Sequence, residues 1–79
     1  MNLSKLTNHY LTLTQRLRVN DITVEDLNAT ILRDQQAFLI MKNKSLMTEV
    51  EYTSMLVCIN EFEDLFEKII DAKEKVKLN

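Results

Sequence analysis

The chain has 79 residues, of which 46% are hydrophobic, and its formal net charge is −2. This length allows one domain, residues 1–79, and the charge offers no basic face of the kind that nucleic-acid binding normally needs. The sequence also contains no glycine and no proline, which excludes phosphate-binding loops and nucleophile elbows and disfavours β-hairpins. We therefore predict an all-α fold.

The first segment predicts an amphipathic helix, because its apolar residues are spaced alternately by three and four: Leu3, Leu6, Tyr10, Leu13 and Leu17. The same spacing continues through residues 24–41, which permits one helix of about forty residues. A break is predicted near residues 20–23, where Thr23 is suited to cap the N-terminus of a second helix. Both possibilities, one helix or two, stay open at this point.

A turn is predicted within residues 42–48, after which Thr48 and Glu51 have the spacing of a capping box. The last helix should therefore run from about Glu49 to Lys77. The predicted architecture is an antiparallel helical hairpin of two long helices, or of three if the chain breaks near residues 20–23. In the three-helix case the first helix folds back as a third member.

The residues that carry chemistry do not form a catalytic pattern. His9 adjoins Tyr10 on an amphipathic helix, and the nearest thiol, that of Cys58, lies in another element. Cys58 lies among apolar and acidic residues that disfavour a thiolate. A single cysteine cannot form an internal disulfide, which suits a reducing cytoplasm. One acidic run is interpreted as a solvated face: Glu61, Glu63, Asp64 and Glu67. We therefore expect no enzyme activity, no cofactor and no metal site.

The last helix has a central seam that is apolar except for one lysine: Tyr52, Met55, Ile59, Phe62, Phe66, Ile69, Lys73 and Val76. Leu56, Leu65 and Ile70 widen the seam on both sides, which indicates that the helix buries more than one face. Either the first segment or another chain covers the extra apolar surface. The second alternative predicts a partner-binding surface on large apolar side chains: Tyr52, Leu56, Phe62, Leu65 and Phe66.

Residues 51–70, with a polar start, an apolar middle and an Ile-Ile ending, resemble the second helix of the small co-chaperones of type III secretion needle subunits. The apolar residues of 3–17 are similar to the leucine-rich first helix of that family. The resemblance implies a cytoplasmic helical hairpin that takes part in protein transport and virulence. It would pair with a tetratricopeptide-like chaperone and hold the needle subunit monomeric before export, without catalysis or cofactor. Needle subunits are also small hairpins, but they usually turn on a proline-containing loop, which this chain lacks.

Two alternatives from other classes stay open. The chain could be a small regulatory or phage-type inhibitor protein that docks on a host protein, or a self-assembling helical hairpin that forms a homo-oligomer when alone.

Its first residues contain no apolar run long enough for a signal peptide, and no stretch of the sequence approaches a membrane span.

Overall fold

The structure is a computed structural model that describes residues 2–78 and the side chains of residues 2–76. It consists of three helices, α1 (Leu3–Arg18), α2 (Val24–Asn43) and α3 (Glu49–Leu78), with no strand in the described part of the chain. The prediction of an all-α fold is confirmed. The predicted break near residues 20–23 and the predicted turn within residues 42–48 are both present.

Each helix begins at a polar side chain that binds a backbone N–H group of the first turn. The Asn2 side chain accepts a hydrogen bond from the N–H of Lys5, at 2.8 Å, and the Thr23 hydroxyl accepts one from that of Asp26, at 3.0 Å. At α3 the N–H of Glu51 donates to the hydroxyl of Thr48, while the Glu51 carboxylate accepts from the N–H of Thr48. The capping box predicted from sequence is therefore formed.

The two connections end α1 and α2 in the same way, although the chain has no glycine. Asn20 and Ser45 adopt positive φ angles of 61° and 59°. In each case the following residue donates a backbone hydrogen bond to the third-last residue of the helix, Asp21 to Arg16 and Leu46 to Met41. This is the Schellman arrangement, which glycine usually provides. Non-glycine residues reach it at a cost of about 1 kcal/mol or more each.

The polar contacts between helices show their directions. The Gln35 side chain donates to Glu63 at 3.2 Å and Lys42 pairs with Glu49 at 2.8 Å, so α2 and α3 run in opposite directions. Thr7 lies beside Cys58, and the carbonyl of Leu17 accepts from Lys73, so α1 runs in the same direction as α3. α1 therefore folds back along α3 and does not extend α2.

The core lies where α1 and α2 pack against α3. Its buried residues come from all three helices and the second connection: Leu6, Tyr10, Leu13, Leu17, Leu27, Ile31, Phe38, Met47, Met55, Ile59 and Phe66. The Tyr10 ring lies 5.5 Å from the ring of Phe62 and 6.2 Å from that of Phe66, measured between centroids. α1 thus covers one side of the wide apolar stripe of α3, as the first of the two alternatives expected.

Candidate functional site

One polar cluster in the described residues combines a histidine, a tyrosine and a carboxylate. The Tyr10 hydroxyl donates to Asp34 Oδ2 at 2.9 Å, and His9 Nε2 lies 4.0 Å from the same oxygen. Burial, reinforced by the hydrogen bond to the Asp34 carboxylate, raises the pKa of Tyr10 well above its ordinary value. The phenol therefore stays protonated and cannot act as a base near neutral pH. The geometry makes this cluster a tie between α1 and α2.

The cysteine of α3 packs against α1, and the acidic side chains of the described residues are not grouped for metal binding. The Sγ atom of Cys58 is half-buried and lies 3.7 Å from the Thr7 hydroxyl, across the contact of α1 and α3. Within the residues that the structure describes, no group of three or more His, Cys, Asp or Glu side chains is placed to hold a metal ion.

The acidic run of α3 does not behave uniformly. Glu61, Asp64 and Glu67 are exposed, as expected for a solvated face. Glu63 is half-buried and accepts the hydrogen bond from Gln35, because its position on the helix faces α2. The expectation of a solvated face therefore applies to three of the four residues, and Glu63 instead joins α3 to α2.

The five residues predicted to bind a partner are divided among three places. Phe66 is 2% exposed in the core, and Phe62 is half-buried with its ring 6.1 Å from that of Phe66. Tyr52 and Leu56, both half-buried, lie together on the side of α3 that faces α2. Leu65 follows Leu56 by nine residues, which is a rotation of about 180° around the helix, so it lies on the opposite side of α3.

Tyr52 and Leu56 line a groove between α2 and α3, which we call the α2–α3 groove. It has a volume of about 340 Å³ and is lined by Gln35, Gln36, Leu39, Tyr52, Leu56 and Asn60. The floor is apolar, and the three side-chain amides of the rim can donate and accept hydrogen bonds. At one end Lys42 Nζ lies 4.9 Å above the centre of the Tyr52 ring, a cation–π contact that holds the ring in place.

Sequence reasoning missed the contribution of α2 to this groove. Leu39 is 43% exposed, and two further apolar residues of the same helix, Leu32 and Ile40, are more than half exposed. All three lie outside the alternating spacing of three and four residues that predicts a helix through residues 24–41. The presence of these extra apolar residues could have indicated a second exposed apolar surface, because a helix needs only one apolar stripe to pack against a single neighbour.

Comparison of the chain with protein-family models, with curated proteins and with solved structures finds no match. None of the helices among residues 2–78 has both the length and the apolar composition needed to cross a membrane.

Proposed function

We propose that this chain works by binding another protein through the α2–α3 groove. The observation that supports this most directly is the group of apolar side chains, Leu39, Tyr52 and Leu56, that meets at the surface between two helices. Large apolar side chains in a groove with a polar rim are typical of sites where one protein holds a helix or an extended segment of another. In this proposal the antiparallel hairpin of α2 and α3 is the binding unit, and α1 stabilises it by packing on a different side of α3 from the groove.

The resemblance of residues 51–70 narrows the proposal to a cytoplasmic co-chaperone of a type III secretion system. Its partners would be a tetratricopeptide-like chaperone and the needle subunit, which the complex would keep monomeric before export. Tyr52 and Leu56 belong both to the resembling segment and to the groove. The groove is therefore the surface that we expect to contact the tetratricopeptide-like chaperone.

The test is co-expression of the tagged chain with a tetratricopeptide-like chaperone and a needle subunit encoded in the same genome, followed by size-exclusion chromatography with light scattering. We expect a complex that contains one needle subunit. Leu39→Ala and Leu56→Ala should each weaken the complex by about tenfold or more if they are its central anchors, because truncating a hot-spot residue costs about 2 kcal/mol or more. Leu11→Ala is the matched control, because Leu11 of α1 is 49% exposed and Leu39 is 43% exposed.

Three results would count against the proposal. Failure of both partners to co-purify would contradict the co-chaperone role. Loss of the complex in Leu11→Ala but not in Leu39→Ala would show that the binding surface lies on α1. If the chain alone forms a stable oligomer that Leu56→Ala dissociates, the α2–α3 groove serves self-assembly.

A further inference from the structure

The C-terminal end of α3 extends beyond the end of α1. Lys73 Nζ donates to the carbonyl oxygen of Leu17 and, at 2.7 Å, to Oδ1 of Asn20, so the last turn of α1 lies opposite Lys73. α3 continues to Leu78. The step between the two helices forms a cleft of about 510 Å³, which we call the C-terminal cleft, lined by Arg18, Asn20, Ile69, Ala72, Lys73 and Val76.

The floor of the C-terminal cleft is an apolar strip of α3. Ile69 is half-buried, Ala72 is exposed, and Val76 is 75% exposed. With the half-buried Leu65, these residues are spaced by four, three and four, which places them on one face of the helix. α1 ends before it can cover the whole strip, so the apolar face of α3 continues into solvent along the cleft.

Positive charges border the strip. Arg18 and Lys73 line the cleft, and neither has a carboxylate within 4.0 Å among residues 2–76. Both contacts of Lys73 are to neutral oxygens. This side of the cleft therefore presents two cations whose charge no carboxylate within that distance balances.

The opposite border of the strip is also basic. At 100° per residue, Lys68 and Lys75 lie on the outer side of Ala72, and both are exposed. Asp64 and Asp71 each precede one of these lysines by four residues, so they lie about 40° farther around the helix from the strip. A molecule seated on the apolar strip would therefore meet lysines before it meets a carboxylate.

From this charge order we propose that the C-terminal cleft binds an acidic amphipathic helix of another protein. The apolar side chains of that helix would cover Ile69, Ala72 and Val76, and its carboxylates would lie against Arg18 and Lys73 on one border and the two lysines on the other. An apolar strip between two basic borders is complementary to one apolar face between two acidic borders. Two features favour a helix over an anionic membrane: the site is a cleft between helices, and the chain has a net charge of −2.

This proposal concerns a different face from the α2–α3 groove and does not depend on the function proposed above. Leu56 of the groove and Leu65 of the strip lie on opposite sides of α3. The two surfaces can therefore be tested independently in the same protein.

The probe is a fluorescein-labelled helical peptide of about sixteen residues, just over four turns, with leucines spaced by four, three and four and glutamates on both flanks. A second peptide carries lysines in place of the glutamates. We expect saturable binding of the acidic peptide to the full chain, weakened by salt, and binding of the lysine peptide at least about tenfold weaker. Backbone amide NMR shifts should change at residues 69–76 and at Arg18, and not at Tyr52.

The chain offers matched variants for this experiment. Val76 and Val50 lie near opposite ends of α3 and are each 75% exposed. Val76→Ser should weaken the acidic peptide about fivefold, because two methyl contacts are lost, and Val50→Ser should leave binding unchanged. The double variant Lys68→Gln/Lys75→Gln should weaken binding about threefold or more, whereas Lys44→Gln, in the distant connection between α2 and α3, should not.

The thermal midpoints of these variants should stay close to that of the parent chain, because all the substituted side chains are exposed. Equal binding of the two peptides, or no saturable binding of the acidic one up to about 1 mM, would overturn the proposal. Binding to phosphatidylglycerol vesicles in the absence of peptide binding would overturn it in favour of a membrane surface. Self-association that Val76→Ser abolishes, again without peptide binding, would overturn it in favour of a second copy of the chain.

Discussion

α1 and α2 both pack against α3, but they bury their apolar residues very differently. Four hydrophobic residues of the 16-residue α1 are at most 4% exposed: Leu6, Tyr10, Leu13 and Leu17. α2 has 20 residues, buries three hydrophobic ones, and leaves four large apolar side chains at least 43% exposed: Val24, Leu32, Leu39 and Ile40. α1 leaves only Leu3 and Leu11 exposed to this extent and has its other apolar residues on one face, whereas the apolar residues of α2 extend around the helix. α1 thus mainly stabilises the fold, while α2 also leaves apolar surface exposed.

The largest expected effect compares one leucine from each helix. Leu6→Ala should lower the free energy of unfolding by about 3 kcal/mol, because Leu6 is 0% exposed and its truncation leaves a cavity. Leu39→Ala should change it by less than about 1 kcal/mol, because Leu39 is 43% exposed and alanine favours helix. Urea denaturation of both variants measures the difference. Similar costs would show that α2 is as important to stability as α1.

The next effect concerns the tie between α1 and α2. Tyr10→Phe should lower stability by about 1.5 kcal/mol, because it removes the hydrogen bond to the Asp34 carboxylate and keeps the ring packing. Tyr52→Phe, which removes the same hydroxyl from a half-buried tyrosine of α3, is the matched control. An unchanged denaturation midpoint for Tyr10→Phe would mean that packing alone holds α1 in place.

The same tyrosine predicts a dependence on alkaline pH. Its pKa is raised above the ordinary value of 10.0 in the folded chain, so the unfolded chain loses the phenolic proton first as pH rises. The protonated Tyr10 contributes its full stabilisation of the folded chain below pH 10, and this contribution is lost progressively as the pH rises from there towards the pKa of the folded chain. Thermal midpoints measured from about pH 9 to 11 should therefore fall more steeply for the parent chain than for Tyr10→Phe. Parallel curves would contradict a buried phenol.

The smallest effects distinguish the two connections. Ser45→Gly should stabilise the chain by about 0.5–1 kcal/mol, because glycine adopts the positive φ angle of 59° without steric cost. Asn20→Gly relieves the same kind of strain but removes the oxygen that accepts from Lys73, so its net effect should be close to zero or destabilising. If both variants gain equally, as measured by thermal denaturation, the contact between Lys73 and the end of α1 contributes nothing measurable.

Local signals in the sequence account for the starts of α2 and α3. Thr23 and Thr48 bind backbone N–H groups only a few residues away, so their effect on the chain can be predicted without knowledge of its path. The signals for the helix ends were weaker. Residues with positive φ angles, Asn20 and Ser45, stand where glycine is usual; asparagine sometimes takes this position, but serine by itself does not indicate it.

The candidate site was less predictable, because exposure depends on which helix covers which face. Phe62 and Phe66 have the same character in the sequence as Tyr52 and Leu56, but α1 covers the first pair. Lys73 interrupts the apolar seam of α3, and the reason is visible only in three dimensions. Its ammonium group binds the carbonyl oxygen at the end of α1.

By itself the sequence determined that the chain is helical, that α3 begins at the capping box of Thr48, and that α3 has more apolar surface than one neighbour needs. These properties follow from periodicity and capping, which act over a few residues. Tertiary structure alone decided that α1 returns along α3, that Leu39 joins Tyr52 and Leu56 in a groove, and that Val76 remains exposed beyond the end of α1. Such contacts join residues far apart in the chain, and several pairings of amphipathic helices satisfy the same pattern of apolar residues.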